Sequence, residues 1–83
     1  MSDLNLVFKY QGNSITMQCK ETDIISDVFA RYCFKAGLDI NEVKFYANTV
    51  EVPSSNKTLF ALGINNKMYH TFDVTRATGV VGA

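Results

Sequence analysis

The sequence predicts an α+β domain in which one helix covers a small mixed β-sheet. The chain has 83 residues, which is the length of a single domain. Two stretches of alternating apolar residues come before a single stretch of helical period, and three further strand-like stretches follow it. Because neither a helix nor a sheet can bury its apolar side alone, we expect the helix to pack on one face of the sheet.

The first two strands are predicted to form a β-hairpin. Apolar residues alternate with mostly polar ones in both stretches, first through Leu4, Leu6, Phe8 and Tyr10, and then through Ile15, Met17 and Cys19. The residues Gln11-Gly12-Asn13 between them are a turn signal. Their short length favours antiparallel pairing of the two strands.

A helix is predicted next, with Thr22 or Asp23 as its N-cap and Gly37 as the left-handed residue that ends it. Leu38 can then pack back against the end of the helix. One apolar stripe recurs at three- and four-residue spacing, through Ile25, Val28, Phe29, Tyr32 and Cys33.

Three more strands are predicted after the helix. The first alternates at Val43, Phe45 and Ala47, and a tight turn at 48–49 leads to a short strand at 50–52. Residues 58–64 form a predicted helical turn, with Thr58 as cap and Gly63 as stop, and the last strand alternates at Met68, His70, Phe72 and Val74. The predicted domain covers residues 1–75, and a flexible tail covers 76–83.

This order of elements is that of the β-grasp. The hairpin is antiparallel, and the first and last strands can lie side by side in the centre of the sheet. The sequence shows no repeat and no sign of a second domain.

Composition argues against several classes of function. Eight basic and eight acidic residues cancel, so the chain lacks the broad positive field that attracts nucleic acid. No apolar stretch approaches the length needed to cross a membrane, and the start carries an acid where a signal peptide has bases. Cys19 and Cys33 are too few for a disulfide framework, and are expected to be buried thiols in a reducing cytoplasmic or nuclear setting.

Catalysis is not expected, and neither is a metal or a cofactor. Cys33 and His70 could in principle pair as nucleophile and base, but both are predicted to face the core. His70 is expected to be a core histidine that a neighbour satisfies, with a pH switch as the alternative. Acidic residues near the helix start, Glu21, Asp23 and Asp27, are accounted for by the helix dipole.

The chain resembles the ubiquitin family, and its SUMO branch more than ubiquitin itself. The resemblance rests on the stretch from Arg31 to Leu38 with its Tyr32-Cys33 pair, on Val43-Lys44-Phe45, and on residues 58–64 and 71–74. It covers the chain from about Leu4 to about Gly79 and implies a monomeric β-grasp domain that binds other proteins.

The tail departs from the pattern of the family. Thr78-Gly79 stands where the resemblance implies Thr-Gly-Gly, Val80 replaces the second glycine, and Gly82 is followed by Ala83. Activating and processing enzymes need glycine there because a side chain obstructs the close approach of the backbone. The chain as it stands is therefore predicted not to be conjugated.

Two partner-binding surfaces are predicted from the resemblance. One is the outer face of the sheet, where Tyr46 falls at the position of ubiquitin's central isoleucine. Its residues, all expected to face solvent, are Lys44, Tyr46, Thr71 and Asp73. The other is the groove between the second strand and the helix, where SUMO proteins take a peptide as an added strand. Its residues are Met17, Gln18, Cys19, Lys20, Asp23, Val28 and Arg31, and Asp27 is expected to repel an acidic peptide.

Three functions stay open at this point. The first is a module that binds proteins non-covalently without being conjugated. The second is a SUMO-like modifier joined to lysines after its tail is processed. The third is a regulatory domain at the N-terminal end of a larger protein.

Overall fold

The computed structural model describes residues 3–64 and 70–76, without the side chain of Asp3. It contains five strands and one α-helix: β1 (Asp3–Tyr10), β2 (Asn13–Lys20), α1 (Ile25–Ala36), β3 (Val43–Ala47), β4 (Val50–Glu51) and β5 (His70–Arg76). Two short 3₁₀ helices, Ile40–Glu42 and Phe60–Leu62, lie in the connections. The first of these was not predicted; its start is fixed by Asp39, whose side chain accepts a hydrogen bond from the backbone of Asn41.

The strands form one mixed sheet in the order β2-β1-β5-β3-β4. The central strands β1 and β5 are parallel, and the other neighbours are antiparallel. This arrangement confirms the predicted α+β class and the β-grasp order, including the first and last strands side by side. One consequence is that β2 forms a long outer edge of the sheet, whereas the opposite edge is the two-residue strand β4.

Both hairpins of the sheet close through two-residue turns with left-handed backbone. Gln11 and Gly12 have φ of 50° and 83°, and Asn48 and Thr49 have φ of 53° and 66°. Two positive φ values in succession define a type I′ turn, whose twist matches that of the strands it joins. The first turn sets Tyr10 opposite Asn13 and thereby fixes the register of β1 on β2.

Aromatic side chains fill the space between the helix and the sheet. The ring of Phe8 stacks on Tyr32 at 4.4 Å between centroids and on Phe72 at 5.2 Å. Phe29 from the helix stacks on Phe45 from β3 at 3.8 Å. All five rings are buried, and aromatic burial of this extent dominates the stability of a small core.

The start of α1 differs from the prediction. The helix begins at Ile25, its N-cap is Ile24, and no side chain caps it, so the predicted capping by Thr22 or Asp23 is wrong. The first free N–H groups donate instead to the carbonyls of Lys57 and Ser55 in the loop after β4. Because backbone carbonyls satisfy these donors, the Asp23 side chain is left for other contacts.

The predicted helix stops are confirmed. Gly37 has φ of 74° and its N–H bonds to the carbonyl of Cys33, and Leu38 is half-buried against the core. In the second 3₁₀ helix, the hydroxyl of Thr58 accepts from the N–H of Ala61, and Gly63 has φ of 82°. Glycine carries these left-handed positions without the steric cost that a side chain adds.

The last strand is confirmed over the residues that are described. Phe72 and Val74 face the core, as predicted, and β5 continues to Arg76. Met68 and the predicted tail with Thr78, Gly79 and Gly82 lie outside the described residues. The predicted division of the chain at residue 75 stays a prediction.

Candidate protein-interaction site

A cleft lies where β2 and α1 meet at the outer edge of the sheet. It has a volume of about 580 Å³ and is lined by Met17, Ala30, Arg31, Phe34 and Lys35. Phe34 is 90% exposed, the largest value among the exposed apolar residues described. The cleft therefore offers apolar surface with two cationic side chains beside it.

Two smaller depressions continue this cleft along the junction of β2 and α1. One of about 310 Å³ is lined by Gln18, Cys19, Lys20, Asp23 and Arg31, and it shares Arg31 with the cleft. The other, of about 390 Å³, shares Lys35 with the cleft and is otherwise lined by Tyr10, Asn13, Ser14, Ile15, Tyr32 and Ala36. These three hollows together form the β2–α1 groove.

The backbone at the rim of the groove has unpaired hydrogen-bonding groups. Tyr10 and Asn13 flank the two-residue turn, so they form a hydrogen-bonded pair, and every second residue of β2 after Asn13 bonds to β1. The residues between them, Ser14, Thr16 and Gln18, therefore direct both N–H and C=O away from the sheet. An edge of this kind can accept a further strand.

Asp23 closes one end of this edge. Its Oδ2 atom accepts a hydrogen bond from the backbone N–H of Lys20 at 3.0 Å and from the Arg31 guanidinium at 3.2 Å. The backbone N–H of Asp23 also donates to the carbonyl of Lys20 at 2.9 Å. Both backbone groups of Lys20 are thus satisfied, and the free part of the edge ends at Gln18.

All of the predicted groove residues except Val28 line the groove, but they have different roles. Met17, Cys19 and Val28 are buried core residues, while Gln18, Lys20 and Arg31 are exposed along the groove. A binding role for Phe34, Ala30 and Lys35 was not predicted from the sequence. The helical period could have indicated their exposure, because all three positions lie outside the apolar stripe of α1. An aromatic residue at such a position must face solvent.

The predicted outer-face residues share one face of the sheet, but two are less exposed than expected. Lys44 and Asp73 are exposed, whereas Tyr46 and Thr71 are half-buried. The expectation of a freely exposed Tyr46 is wrong because the residue lies between Asp73 of β5 and Glu51 of β4 in the sheet register. On the same face Val7 is only 7% exposed, so little apolar surface is accessible there.

Comparison with known structures identifies the fold. The ubiquitin-like domain of an Arabidopsis thaliana protein, solved in solution by NMR, matches with a TM-score of 0.80 and 13% identity over 100% of this chain and 87% of that one. Caldiarchaeum subterraneum ubiquitin matches with a TM-score of 0.76 and 14% identity, covering 95% of this chain and 100% of that one. A designed protein based on ubiquitin gives 0.75 at 16% identity, over 98% and 96%.

The chain has the ubiquitin-like fold. At these identities the similarity concerns the fold alone, and it does not single out the SUMO branch. No protein-family model and no curated protein matches the sequence. The surfaces of the domain itself are therefore the basis for proposing a function.

The two thiols and the histidine are enclosed by the fold to different extents. Cys19 and Cys33 are buried, as predicted, and burial raises the pKa of both thiols. His70 is half-buried, and its Nε2 atom is enclosed without a hydrogen-bond partner in the described part of the chain, unlike the satisfied histidine that was expected.

Neither a metal-binding cluster nor a membrane-spanning helix occurs in residues 3–64 and 70–76. No group of three His, Cys, Asp or Glu side chains lies close enough to hold a metal ion there. Nor does this part of the chain contain a helix with the length and apolar character needed to cross a membrane.

Proposed function

We propose that this ubiquitin-like domain binds other proteins non-covalently, and that it does so by taking an extended segment of its partner into the β2–α1 groove. The observation that carries the proposal is the unpaired edge of β2 next to a cleft whose lip is an almost fully exposed phenylalanine. The proposal places the main-chain contacts on β2 and the side-chain contacts on α1.

Main-chain hydrogen bonds would supply the part of the affinity that does not depend on the sequence of the partner. The outward backbone groups of Ser14, Thr16 and Gln18 provide three N–H donors and three C=O acceptors in strand geometry. A strand added here pairs without disturbing the β1–β2 ladder, because those groups take no part in it. This is the physics of β-strand addition to a sheet edge.

Side-chain contacts would supply the part of the affinity that depends on the sequence of the partner. Every second side chain of an added strand points toward the cleft, where Ala30 and Phe34 of α1 and Met17 of β2 present apolar surface. Methionine and phenylalanine adapt well to apolar ligands, and exposed aromatic residues are frequent anchors of interfaces. Among residues 3–64 and 70–76, the outer sheet face offers no comparable apolar cleft, which is why the groove is preferred to it.

Phe34→Ala tests this function, with Phe60→Ala as the matched control. Both phenylalanines are exposed, at 90% and 67%, but only Phe34 lines the groove. Because Phe34 makes few contacts within the fold, we expect the free energy of unfolding to change by less than about 0.5 kcal/mol. We expect Phe34→Ala to weaken binding of an apolar peptide by at least about tenfold, as for an interface anchor.

The measurement is fluorescence anisotropy with a labelled peptide of sequence Val-Ile-Val-Ile flanked by three asparagines. Wild type and Phe60→Ala should bind it equally. Equal binding by Phe34→Ala and Phe60→Ala, or no binding by the wild type, would contradict the proposed use of the groove.

A further inference from the structure

The unpaired edge of β2 is complementary to a second copy of itself. In the described part of the chain, no backbone group bonds to the outward N–H and C=O of Ser14, Thr16 and Gln18. Thr16 lies at the centre of this series, because the hairpin turn precedes Ser14 and the Asp23 contact closes the edge at Lys20. A series with a central residue can be related to its own copy by a two-fold axis through that residue.

Antiparallel pairing about Thr16 would use every free group of both edges. Thr16 then lies opposite Thr16 of the second copy, and Ser14 lies opposite Gln18 of the second copy. Each pair exchanges two N–H···O bonds, as hydrogen-bonded pairs of antiparallel strands do. A register shifted by two residues leaves groups unpaired at the ends, so the register about Thr16 is favoured.

The charges at the two ends of the groove fit the same two-fold arrangement. Beside Ser14 and Ile15 the groove has a single charged residue, Lys35. Lys35 is exposed and makes no ion pair with any other described residue. This end of the groove is therefore positive.

The end of the groove beside Gln18 is negative. The guanidinium of Arg31 is already paired there with Asp23, at 3.2 Å. Asp27 is exposed and lies four residues before Arg31 on the same side of α1. Because Ser14 of one copy faces Gln18 of the other, the Lys35 end of each copy meets the Asp27 end of its partner, and opposite charges meet twice.

Two further features favour a closed pair over a longer assembly. A two-fold axis perpendicular to the sheet keeps both α1 helices on the same face, so the exposed Phe34 side chains flank the seam from one side. The other edge of the sheet is the two-residue strand β4, which is too short to continue the sheet into a fibre. Pairing of β2 with β2 therefore ends at two copies.

We infer that two copies of this chain associate through antiparallel pairing of their β2 strands about Thr16, with Lys35 of each copy against Asp27 of the other. The two five-stranded sheets then form one continuous sheet. The pair uses the same backbone groups as the partner strand proposed above, so self-association and partner binding exclude each other. The inference needs the free edge but no peptide, so a failure of peptide binding would leave it unaffected.

Sedimentation velocity of the wild type measures the association. Protein is compared from about 10 μM to about 1 mM, a range that brackets the dissociation constants of small, transient interfaces. We expect a monomer in dilute solution that passes to a dimer as the concentration rises, without larger species. A monomer throughout would overturn the inference while leaving the proposed function in place, and growth beyond the dimer would overturn the closed pair.

An exchange of charges tests the arrangement of the seam. Lys35→Glu places a carboxylate against Asp27 of the second copy, and Asp27→Lys places an ammonium group against Lys35. Because each repulsion occurs twice in the pair, we expect either variant alone to raise the dissociation constant of the dimer by about tenfold or more. An equimolar mixture of the two variants should recover the wild-type affinity, because opposite charges then face each other at both ends.

Recovery in the mixture also excludes misfolding as the cause of weaker association by each variant. If either variant alone associates as the wild type does, or if the mixture fails to associate, then the proposed placement of Lys35 against Asp27 is wrong.

Thr16→Cys tests the register, with Ser14→Cys as the matched control. In the proposed pair, the thiols introduced at position 16 face each other at the Cα separation of about 5.5 Å that a disulfide spans. Those introduced at position 14 lie about 14 Å apart along the strands. Mild oxidation should join only the first variant into a covalent dimer, since both native cysteines are buried. Joining of both variants, or of neither, would overturn pairing about Thr16.

Discussion

Two phenylalanines illustrate how position decides the role of a residue in this protein. Phe8 lies on the inner face of the central strand β1, is fully buried, and contacts rings from both α1 and β5. Phe34 lies on α1 but off its apolar stripe, so the same side chain is left in solvent at the lip of the groove. The first stabilises the fold, and the second is available to a partner.

The buried thiols give the stability of the protein a pH dependence. Burial raises the pKa of Cys19 and of Cys33 above the values that the thiols have in the unfolded chain. A raised pKa in the folded state means that the stabilisation is complete below the unfolded thiol pKa of about 8.5, and is lost as the pH rises above it. We therefore expect the free energy of unfolding to fall from about pH 8 upward, by at most about 1.4 kcal/mol per pH unit for each thiol.

Urea unfolding under reducing conditions at several pH values between neutrality and about 9.5 checks this prediction, because tyrosine ionises only near pH 10. The variant Cys33→Ala is the control, and its stability should fall less steeply with pH than that of the wild type. A free energy of unfolding that stays constant over this range would show that the thiols are not protected by burial.

At the scale of elements, the proposed binding depends on β2. Its inward side is fixed by the type I′ turn and the ladder to β1. Its outward side has three residues with free backbone groups, and the Asp23 contact ends that series at Lys20. The opposite edge, β4, is only two residues long, which protects it from pairing with other chains.

Proline substitutions distinguish the N–H groups of β2 that bond to β1 from those that point away from the sheet. Thr16→Pro removes an N–H that points away from the sheet, so we expect it to cost less than about 1 kcal/mol of stability, as proline is tolerated at sheet edges. Ile15→Pro removes an N–H that bonds to β1 opposite Phe8, and an unsatisfied buried carbonyl costs about 1–3 kcal/mol.

Chemical unfolding and peptide binding of the two variants are the measurements. Thr16→Pro should stay folded and lose binding of the apolar peptide, because one main-chain bond of the added strand is missing. If Thr16→Pro binds the peptide as the wild type does, then the partner does not add to β2 as a strand.

For the whole molecule, hydrophobic period and glycine positions were enough to predict the fold. The alternation in β1 and β2, the stripe of α1 and the stops at Gly37 and Gly63 are local patterns, and all have their predicted consequences in the structure. The fold is shared at 13–16% identity with ubiquitin-like proteins, as expected when patterns rather than particular residues define it.

The parts that could not be predicted depend on contacts between distant segments. The start of α1 is satisfied by carbonyls of Lys57 and Ser55, which no local capping signal indicates. Tyr46 is half-buried because strands from other parts of the chain flank it. The contacts of Asp23 with Lys20 and Arg31, which end the free part of the β2 edge, depend on the β2–α1 connection folding back on that edge.

Amide hydrogen exchange measured by NMR, with and without the Val-Ile-Val-Ile peptide, most directly tests the claim that the β2–α1 groove takes an added strand. In the free protein the N–H groups of Ile15 and Met17 are expected to exchange slowly, and those of Ser14, Thr16 and Gln18 quickly. Strand addition predicts that saturating peptide slows exchange at Ser14, Thr16 and Gln18 in particular. Unchanged exchange at these three amides while the peptide is bound would contradict the account and place the interaction elsewhere on the domain.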